Sequence, residues 1–325
     1  MATYKGIRGS KVQSLASDPT ASESVGRVWY NTTSNVLKYT AEGSGAWASG
    51  GDMVVAKHVM GAAGIQTAGI VALGTPASLT SSTYNGLAWT AVNDALTLRY
   101  GLGGAGTTAA ALIFGGHAPP RTFTESWDGT NWSEVGDLNS GRHYLPGATG
   151  TQTATLCVGG APAASYGILN ESWNGTSWTE LADCNTARYG AGGAGIQTAA
   201  LIFGGKSQPN ATQVVTESWN GTSWTEVGDL NNARGDTSGC GATNAAALCY
   251  GGSGPAPVDV PNIQTEKWNG TSWTEVADMA NSCYGRSKIG SSSLALAGGG
   301  TPVSPTVATE EWADPSYSIK TVTTS

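Results

Sequence analysis

The side chains that could carry acid–base or metal chemistry are few in this sequence. Its three histidines are His58, His117 and His143, and none has a serine, cysteine or metal-ligand partner at a recognisable spacing. The five cysteines form neither a CxxC pair nor a Cys/His zinc pattern, which favours small buried side chains over disulfides. The sequence therefore predicts a protein that is not an enzyme, with no catalytic residue, metal or cofactor.

Carboxylates are more regular, because they recur at two fixed positions of a repeated pattern. A general acid/base pair needs two carboxyl groups in different environments, so that their pKa values separate. Groups placed identically in every repeat instead favour turn capping or pairing with the recurring arginine of a neighbouring repeat. We expect the Asp137-type residue to contact the Arg142-type residue in the loop between repeats. The two sets are Glu125, Glu171, Glu217, Glu266 and Glu310, and Asp137, Asp183, Asp229 and Asp278.

Two short motifs are explained by the repeat. Gly101-x-Gly103-x-x-Gly106 has the spacing of a dinucleotide-binding loop, but that site needs a helix after the glycines, and here another apolar run follows. Arg234-Gly235-Asp236 spells an adhesion tripeptide, but Arg234 is the recurring arginine of its repeat. Neither motif therefore indicates a site.

Composition narrows the classes of partner. The chain of 325 residues has a net charge of −7, only 12% charged residues and no Lys/Arg cluster, which argues against nucleic acid. It contains no apolar run near 18 residues and no signal-peptide core, which argues against membrane insertion and ordinary secretion. The 47 glycines and the scarcity of helix-favouring surface residues predict β-structure.

A pair of tryptophans five residues apart recurs along the chain. Asn220-Gly221, between the tryptophans of one pair, predicts a tight type I′ turn joining two strands. Before each pair come a glycine-rich strand and an uninterrupted apolar strand, which suit the crowded inner positions of a propeller blade. The copies are spaced by 46, 46 and 49 residues and are Trp127/Trp132, Trp173/Trp178, Trp219/Trp224 and Trp268/Trp273.

A double glycine ends most of the apolar strands, and together with the following tryptophan it resembles the kelch repeat. Gly115-Gly116 and Trp132 carry this pattern in one unit, whereas the first unit departs from it with Leu73-Gly74. The resemblance covers residues 26–325 and implies an all-β fold, a single kelch-like β-propeller. The blades are expected to begin near residues 58, 99, 142, 188, 234 and 282.

Three short strands within residues 26–56 predict a partial blade, which a strand from the C-terminus could complete. Six four-stranded units plus this partial blade favour seven blades, and the alternative is a six-bladed ring with a separate N-terminal element. In the last unit, Trp312 and Tyr317 keep the five-residue aromatic spacing. Residues 1–25 are interpreted as an arm with little structure of its own.

Phrases at both ends of the chain resemble kelch-type virion proteins of tailed bacteriophages. They are the stretches 11–19, 28–38 and 320–325. The resemblance implies a tail or tail-fibre component in the virion, assembled in the host cytoplasm and attached to other tail proteins through residues 1–25. Such proteins are often presented in several copies, so a homo-oligomer stays open. The alternatives are a glycan-processing propeller enzyme and a cellular kelch protein-interaction module.

Function is expected where the repeats differ, since residues common to every unit explain the fold. The differences concentrate in the loops between the double glycine and the tryptophan hairpin, on one face of the propeller. Polar and aromatic residues of these loops are predicted to contact a host glycan or a protein partner. They are His117, Arg121, Tyr166, Lys206, Gln208 and Asp259.

Overall fold

The computed structural model contains β-strands and no α-helix within the residues that it describes. It divides into two compact units, residues 46–313 (the ring unit) and residues 1–45 with 314–325 (the terminal unit). No helix in the described part of the chain is long and apolar enough to cross a membrane. The described residues are 12–21, 24, 26–42, 45–117, 122–146, 150–162, 167–255, 260–302 and 304–322.

The ring unit consists of six antiparallel four-stranded sheets, each with its strands in the order of a propeller blade. Blade 1 contains β5 (Gly61–Ile65), β6 (Ala68–Ala72), β7 (Ser81–Tyr84) and β8 (Trp89–Val92). Blade 2 contains β9 (Gly103–Gly106), β10 (Ala111–Phe114), β11 (Thr124–Trp127) and β12 (Trp132–Glu134). Blade 3 contains β13 (Gly150–Thr151), β14 (Ala154–Val158), β15 (Asn170–Trp173) and β16 (Trp178–Glu180).

The other three blades repeat this plan. Blade 4 contains β17 (Gly192–Ile196), β18 (Ala199–Phe203), β21 (Thr216–Trp219) and β22 (Trp224–Glu226), with a small hairpin of β19 (Lys206–Ser207) and β20 (Ala211–Thr212) in its loop. Blade 5 contains β23 (Ser238–Thr243), β24 (Ala246–Tyr250), β25 (Thr265–Trp268) and β26 (Trp273–Val276). Blade 6 contains β27 (Ile289–Gly290), β28 (Leu294–Gly298), β29 (Thr309–Ala313) and β4 (Ala46–Ser49).

The predicted all-β propeller is confirmed, with seven four-stranded sheets in the described chain. The inner strands of the ring unit contact one another in closed cyclic order, β5, β9, β13, β17, β23 and β27, so this ring has six blades. The sheet expected as a seventh blade belongs to the terminal unit. These two units correspond to the alternative considered from the sequence, a six-bladed ring with a separate N-terminal element.

The ring closes through a strand from the N-terminal side of the chain. Strand β4 pairs with β29, and Trp47 lies opposite Trp312 in this register. The aromatic pair of blade 6 is therefore Trp312/Trp47, so the predicted pair of Trp312 with Tyr317 is wrong. The same pairing corrects the partial blade of residues 26–56, because its third strand completes blade 6. A local pattern could not reveal a partner from the opposite end of the chain.

In blades 2 to 5, the hairpin between the third and fourth strands places its two tryptophans opposite each other. Trp219 pairs with Trp224, and their ring centroids are 5.3 Å apart. The turn has four residues, 220–223, and only Gly221 has a positive φ in this turn, so the predicted type I′ turn is wrong. The Asn220 side-chain oxygen instead accepts hydrogen bonds from the backbone N–H groups of Thr222 and Ser223.

The recurring arginines pair with the recurring glutamates and are fully buried. Arg142 Nη2 lies 2.7 Å from Glu171 Oε1, and the same ion pair is present in blades 2 to 6. The predicted contact between Asp137 and Arg142 is therefore replaced by the contact with Glu171. Asp137 accepts a hydrogen bond from the backbone N–H of Thr124, at the start of β11. Turn capping or pairing with the arginine of a neighbouring repeat was expected for these carboxylates, and the glutamates pair with the arginine of their own blade instead.

The terminal unit has its own four-stranded sheet, ordered β1–β2–β3–β30. The Asp18 carboxylate accepts hydrogen bonds from Trp29, Asn31 and Lys38 at 2.6 to 3.1 Å. Residues 13–15 thus form a strand of this sheet and Asp18 is hydrogen-bonded to it, which corrects the interpretation of 1–25 as an arm; residues 1–11 lie outside the described chain. The strands are β1 (Gln13–Leu15), β2 (Val28–Asn31), β3 (Val36–Glu42) and β30 (Tyr317–Thr321).

Candidate functional site

The axis of the ring is surrounded by one residue from each blade, which lies in the segment before the first strand of that blade. All six have a positive φ, and side chains alternate with glycine around the ring. The three side chains belong to Val59, Tyr144 and Asp236, with φ of 48°, 52° and 46°. A β-branched or bulky residue in this region is strained, and such strain is concentrated at functional sites. The glycines between them are Gly101, Gly190 and Gly285.

The alternation follows from the crowding at the axis. A Cβ added to Gly101 would lie 2.9 Å from the backbone nitrogen of Tyr144, and one added to Gly285 would lie 2.8 Å from Val59. At Gly190 it would collide with the Asp236 carboxylate. Each glycine therefore leaves room for a side chain of the next blade.

Backbone hydrogen bonds join these six positions into a closed circle. Each blade donates an N–H group to a carbonyl of the blade before it, at 2.7 to 3.4 Å. In blades 3 and 5 the donor is the next residue, Leu145 or Thr237, and in the other blades it is the axial residue itself. The circle forms a rigid floor across the ring on the face of the variable loops.

A cavity of about 290 Å³ opens on this floor. We call it the cup. It combines aromatic rings with one pair of opposite charges. Its lining residues are His58, Val59, Tyr144, Tyr189, Lys206, Asp236 and Tyr284. Beneath the floor the channel narrows to about 20 Å³, room for about one water molecule, so the base of the cup is closed to any larger group.

The charged pair of the cup joins two blades. Lys206 Nζ, from blade 4, lies 2.8 Å from Asp236 Oδ2, from blade 5. Blade 5 has Gly235 where most other blades carry an aromatic residue, and a Cβ there would collide with the Lys206 side chain. The missing side chain therefore admits the lysine stem, which brings the ammonium group to the axis.

Aromatic rings continue from the cup along one side of the mouth. Tyr144 lies 6.2 Å from Tyr189 and 5.0 Å from His143, measured between ring centroids. His143 in turn contacts His117 at 4.6 Å. The pKa of His143 is lowered to about 4, mainly by burial and to a smaller extent by the neighbouring His117. Burial also lowers the pKa of His58 and raises that of Tyr144 to about 12.

A second lysine lies beneath the floor. Lys288 Nζ donates to the backbone carbonyl oxygens of Leu145 and Ala191, at 3.0 and 3.2 Å. Burial lowers its pKa to about 8, and the opposing attraction of Asp236 is smaller. These carbonyl contacts hold the lysine between blades 3 and 4, where it supports the floor.

The structure brings together two of the six residues predicted to contact a ligand. Lys206 lines the cup, and His117 belongs to the aromatic side of its mouth through its contacts with His143 and Tyr100. Gln208 is exposed in the turn between β19 and β20. Arg121, Tyr166 and Asp259 lie outside the described residues. The role of these six residues in binding stays a prediction.

Most of the cup was not predicted from the sequence. His58, Tyr144 and Asp236 lie in the segments between blades, whereas the sequence predicted contact residues in the loops after the double glycine. A signal was present, because the second residue after the recurring arginine is glycine in some repeats and Tyr144 or Asp236 in others. The tripeptide 234–236 is part of this site, and Arg234 is buried in its ion pair with Glu266.

The sequence matches no protein-family model and no curated protein. It does resemble solved structures in fold. One of these, described as "Structure of YjhT", has a TM-score of 0.65 at 10% sequence identity, and the match covers 83% of this chain and 99% of that chain. At this identity the similarity establishes the kelch-type β-propeller fold. It gives no correspondence between the residues of the cup and residues of that protein.

The five cysteines contribute no redox chemistry to the site. All are free and buried, as expected from their lack of a pairing pattern. Burial raises the pKa of each thiol, including Cys157 to about 12. They therefore behave as small apolar side chains between the blades. Groups of three or more metal-ligating side chains are absent from the described residues.

Proposed function

We propose that the chain is a non-enzymatic structural and adhesive component of a tailed-phage virion, and that its propeller binds a host-surface ligand in the cup. The observation that carries the binding role is the cup itself. It is a preformed cavity of about 290 Å³ with aromatic walls and a few convergent polar groups, on the face of the variable loops. The virion role rests on the resemblance of the terminal phrases.

The carboxyl content of the cup favours a binding role over glycan cleavage. Glycoside hydrolysis uses two carboxyl groups, about 5 to 10 Å apart and in different protonation states. Among the described residues that line the cup, Asp236 supplies the one carboxylate, and it forms an ion pair with Lys206. The described residues of the cup therefore supply groups that can hold a ligand, and a second carboxylate for cleavage is not among them.

The virion role is tested by locating the protein on particles. We expect antibodies against residues 46–313 to label the tails of purified particles in immunogold electron microscopy. A chain lacking residues 1–11 should keep its melting temperature and fail to join the particle, because the described sheet of the terminal unit begins at Gln13 and keeps the contacts of Asp18. Unlabelled particles would refute the virion role, and normal incorporation of the shortened chain would refute attachment through its N-terminus.

A further inference from the structure

We infer that the cup binds the terminal residue of an uncharged carbohydrate, an inference that rests on the proposed host-binding function. Three properties of the cup lead to it. They are its balance of charge, its exposed acceptor beside aromatic rings, and its closed base.

The described side chains that line the cup carry no net charge near neutral pH. The charges of Lys206 and Asp236 oppose each other at 2.8 Å. His58 and His143 have lowered pKa values and are neutral there, and Tyr144 keeps its proton because its pKa is raised. An anionic ligand would meet the Asp236 carboxylate, and a cationic one would meet the Lys206 ammonium. An uncharged ligand avoids both repulsions.

The carboxylate of Asp236 is placed to accept hydrogen bonds from the hydroxyl groups of a ligand. Its Oδ2 accepts the bond from Lys206, and a carboxylate has about four acceptor positions in all. Its backbone is fixed by the hydrogen-bonded floor, and its side chain stays partly exposed, at 14% of its full area. Hydrogen bonds to an ionised acceptor are short and strong, so a fixed carboxylate orients a polyhydroxyl ligand well.

Aromatic side chains supply the apolar part of the site. The rings of Tyr144 and Tyr189 are inclined at 44° with centroids 6.2 Å apart, and Tyr284 lines the same cavity. Such rings pack against the C–H face of a sugar, while hydroxyl groups at its edge reach the polar floor. The cup thus matches a molecule with one apolar face and many hydroxyl groups.

The closed base favours the terminal residue of a carbohydrate chain over its internal residues. The volume of about 290 Å³ is at the small end for ligand sites and suits a single sugar ring. The channel below, of about 20 Å³, admits no continuing residue. A peptide in extended form needs a groove or a free strand edge, and the cup is enclosed by blades.

Binding is tested with the full chain and a panel of methyl glycosides by saturation-transfer NMR, followed by titration. The panel contains neutral hexosides, N-acetylhexosaminides and hexuronides at millimolar concentration. We expect at least one neutral glycoside to bind and the hexuronides to bind less. D236N should weaken that binding about tenfold or more, because the amide loses an ionised acceptor. Asparagine is also tolerated at a φ of 46°.

The matched control is D128N on the opposite face. It makes the same chemical change in an exposed turn, where Asn174, Asn220 and Asn269 occupy the equivalent place in other blades. We expect D128N to bind like the unmodified chain. Equal loss in both variants would place the effect outside the cup and overturn the inference, provided that both keep the parent melting temperature.

The inference and the proposed function fail on different outcomes. Absence of binding by every neutral glycoside, a preference for hexuronides, or equal binding of the best sugar at internal positions of a linear oligosaccharide would overturn the inference. The proposed virion role would still stand if immunogold labelling located the protein on tails. Conversely, sugar binding without labelled tails would support the cup and refute the virion role.

Discussion

At the scale of single residues, blade 1 differs from the other five in how it neutralises its buried cation. Lys57 takes the place of the recurring arginine, and Ser82 stands where Glu125 stands in blade 2. The Lys57 ammonium is buried and donates to the backbone carbonyl of Thr80. Burial lowers the pKa of Lys57 to about 8, and the distant attraction of Asp94 opposes this only in part. The unpaired cation is therefore a local cost to stability.

We expect the stability of the protein to rise between pH 8 and 10.5 because of Lys57. In this interval the unfolded chain still carries the proton, and the folded chain has lost it. The free energy of unfolding of the parent should therefore increase by roughly 3 kcal/mol relative to Lys57→Met, and stay constant relative to it below pH 8. Urea denaturation across this range measures the difference, with the exposed Lys320→Met as control. Parallel curves for parent and Lys57→Met would contradict it.

Removal of one partner from a buried Arg–Glu pair should lower the stability of the protein. Glu217→Gln leaves the Arg188 guanidinium buried without its carboxylate, which costs about 3 to 5 kcal/mol in comparable cases. Glu226→Gln is the matched control, because Glu226 lies opposite Glu217 in the neighbouring strand and is exposed. Denaturation midpoints of the two variants measure the difference. Similar midpoints would show that the buried pair contributes no more than a surface charge.

At the scale of strands, the outer tryptophans connect neighbouring blades. The indole N–H of the second tryptophan donates to a hydroxyl group on the third strand of the preceding blade, at 2.9 to 3.1 Å. One connection is missing. Trp224 Nε1 has no partner, and blade 3 has Asn170 at the place of the hydroxyl residue, with its Oδ1 also unpartnered. The five donors that are satisfied are Trp47, Trp89, Trp132, Trp178 and Trp273.

Asn170→Thr should restore the missing bond between blades 3 and 4. Satisfying a buried indole N–H contributes about 1 kcal/mol, which corresponds to a rise in melting temperature of about 2 to 4 °C for a domain of this size. The reverse change in blade 2, Thr124→Asn, should lower the melting temperature by a similar amount, since Trp178 would lose its acceptor. Scanning calorimetry compares the two. A decrease in both variants would show that Asn170 makes a better contact than threonine.

At the scale of the molecule, the ring depends on one short strand from the N-terminal side. Strand β4 covers the edge of β29, and Trp47 packs against Trp312 and Tyr250 at centroid distances of 5.7 and 5.1 Å. Without it, blade 6 would present an open edge of backbone N–H and carbonyl groups, which promotes association.

A chain of residues 46–313 should therefore fold as a monomer, whereas residues 51–313 should self-associate and melt at a lower temperature. The two differ only in the presence of β4 and the residue that follows it. Analytical ultracentrifugation gives the mass, and circular dichroism gives the melting temperature. Monomeric behaviour of both chains with equal stability would show that closure through β4 is dispensable.

The blades were predictable from sequence because their pattern is local. Glycine-rich, apolar and tryptophan segments follow one another within each repeat, and the spacing fixes which strands pair. Closure was not predictable, because Trp47 meets Trp312 only after the chain returns on itself. The floor of the cup was missed for a related reason: a positive φ at Tyr144 or Asp236 cannot be inferred from either residue alone, and only the glycines at the equivalent positions of other repeats indicate it. Lys206 and His117 were found because they directly follow a double glycine.

The alternation of glycine with larger residues around the axis has a consequence for the parity of the ring. Each of the axial glycines faces a side chain of the next blade, and such an arrangement closes on itself only when the number of blades is even. Insertion or loss of one blade would bring two glycines or two side chains together, leaving a void or a clash. A ring with this axis can therefore change its size only by two blades at a time.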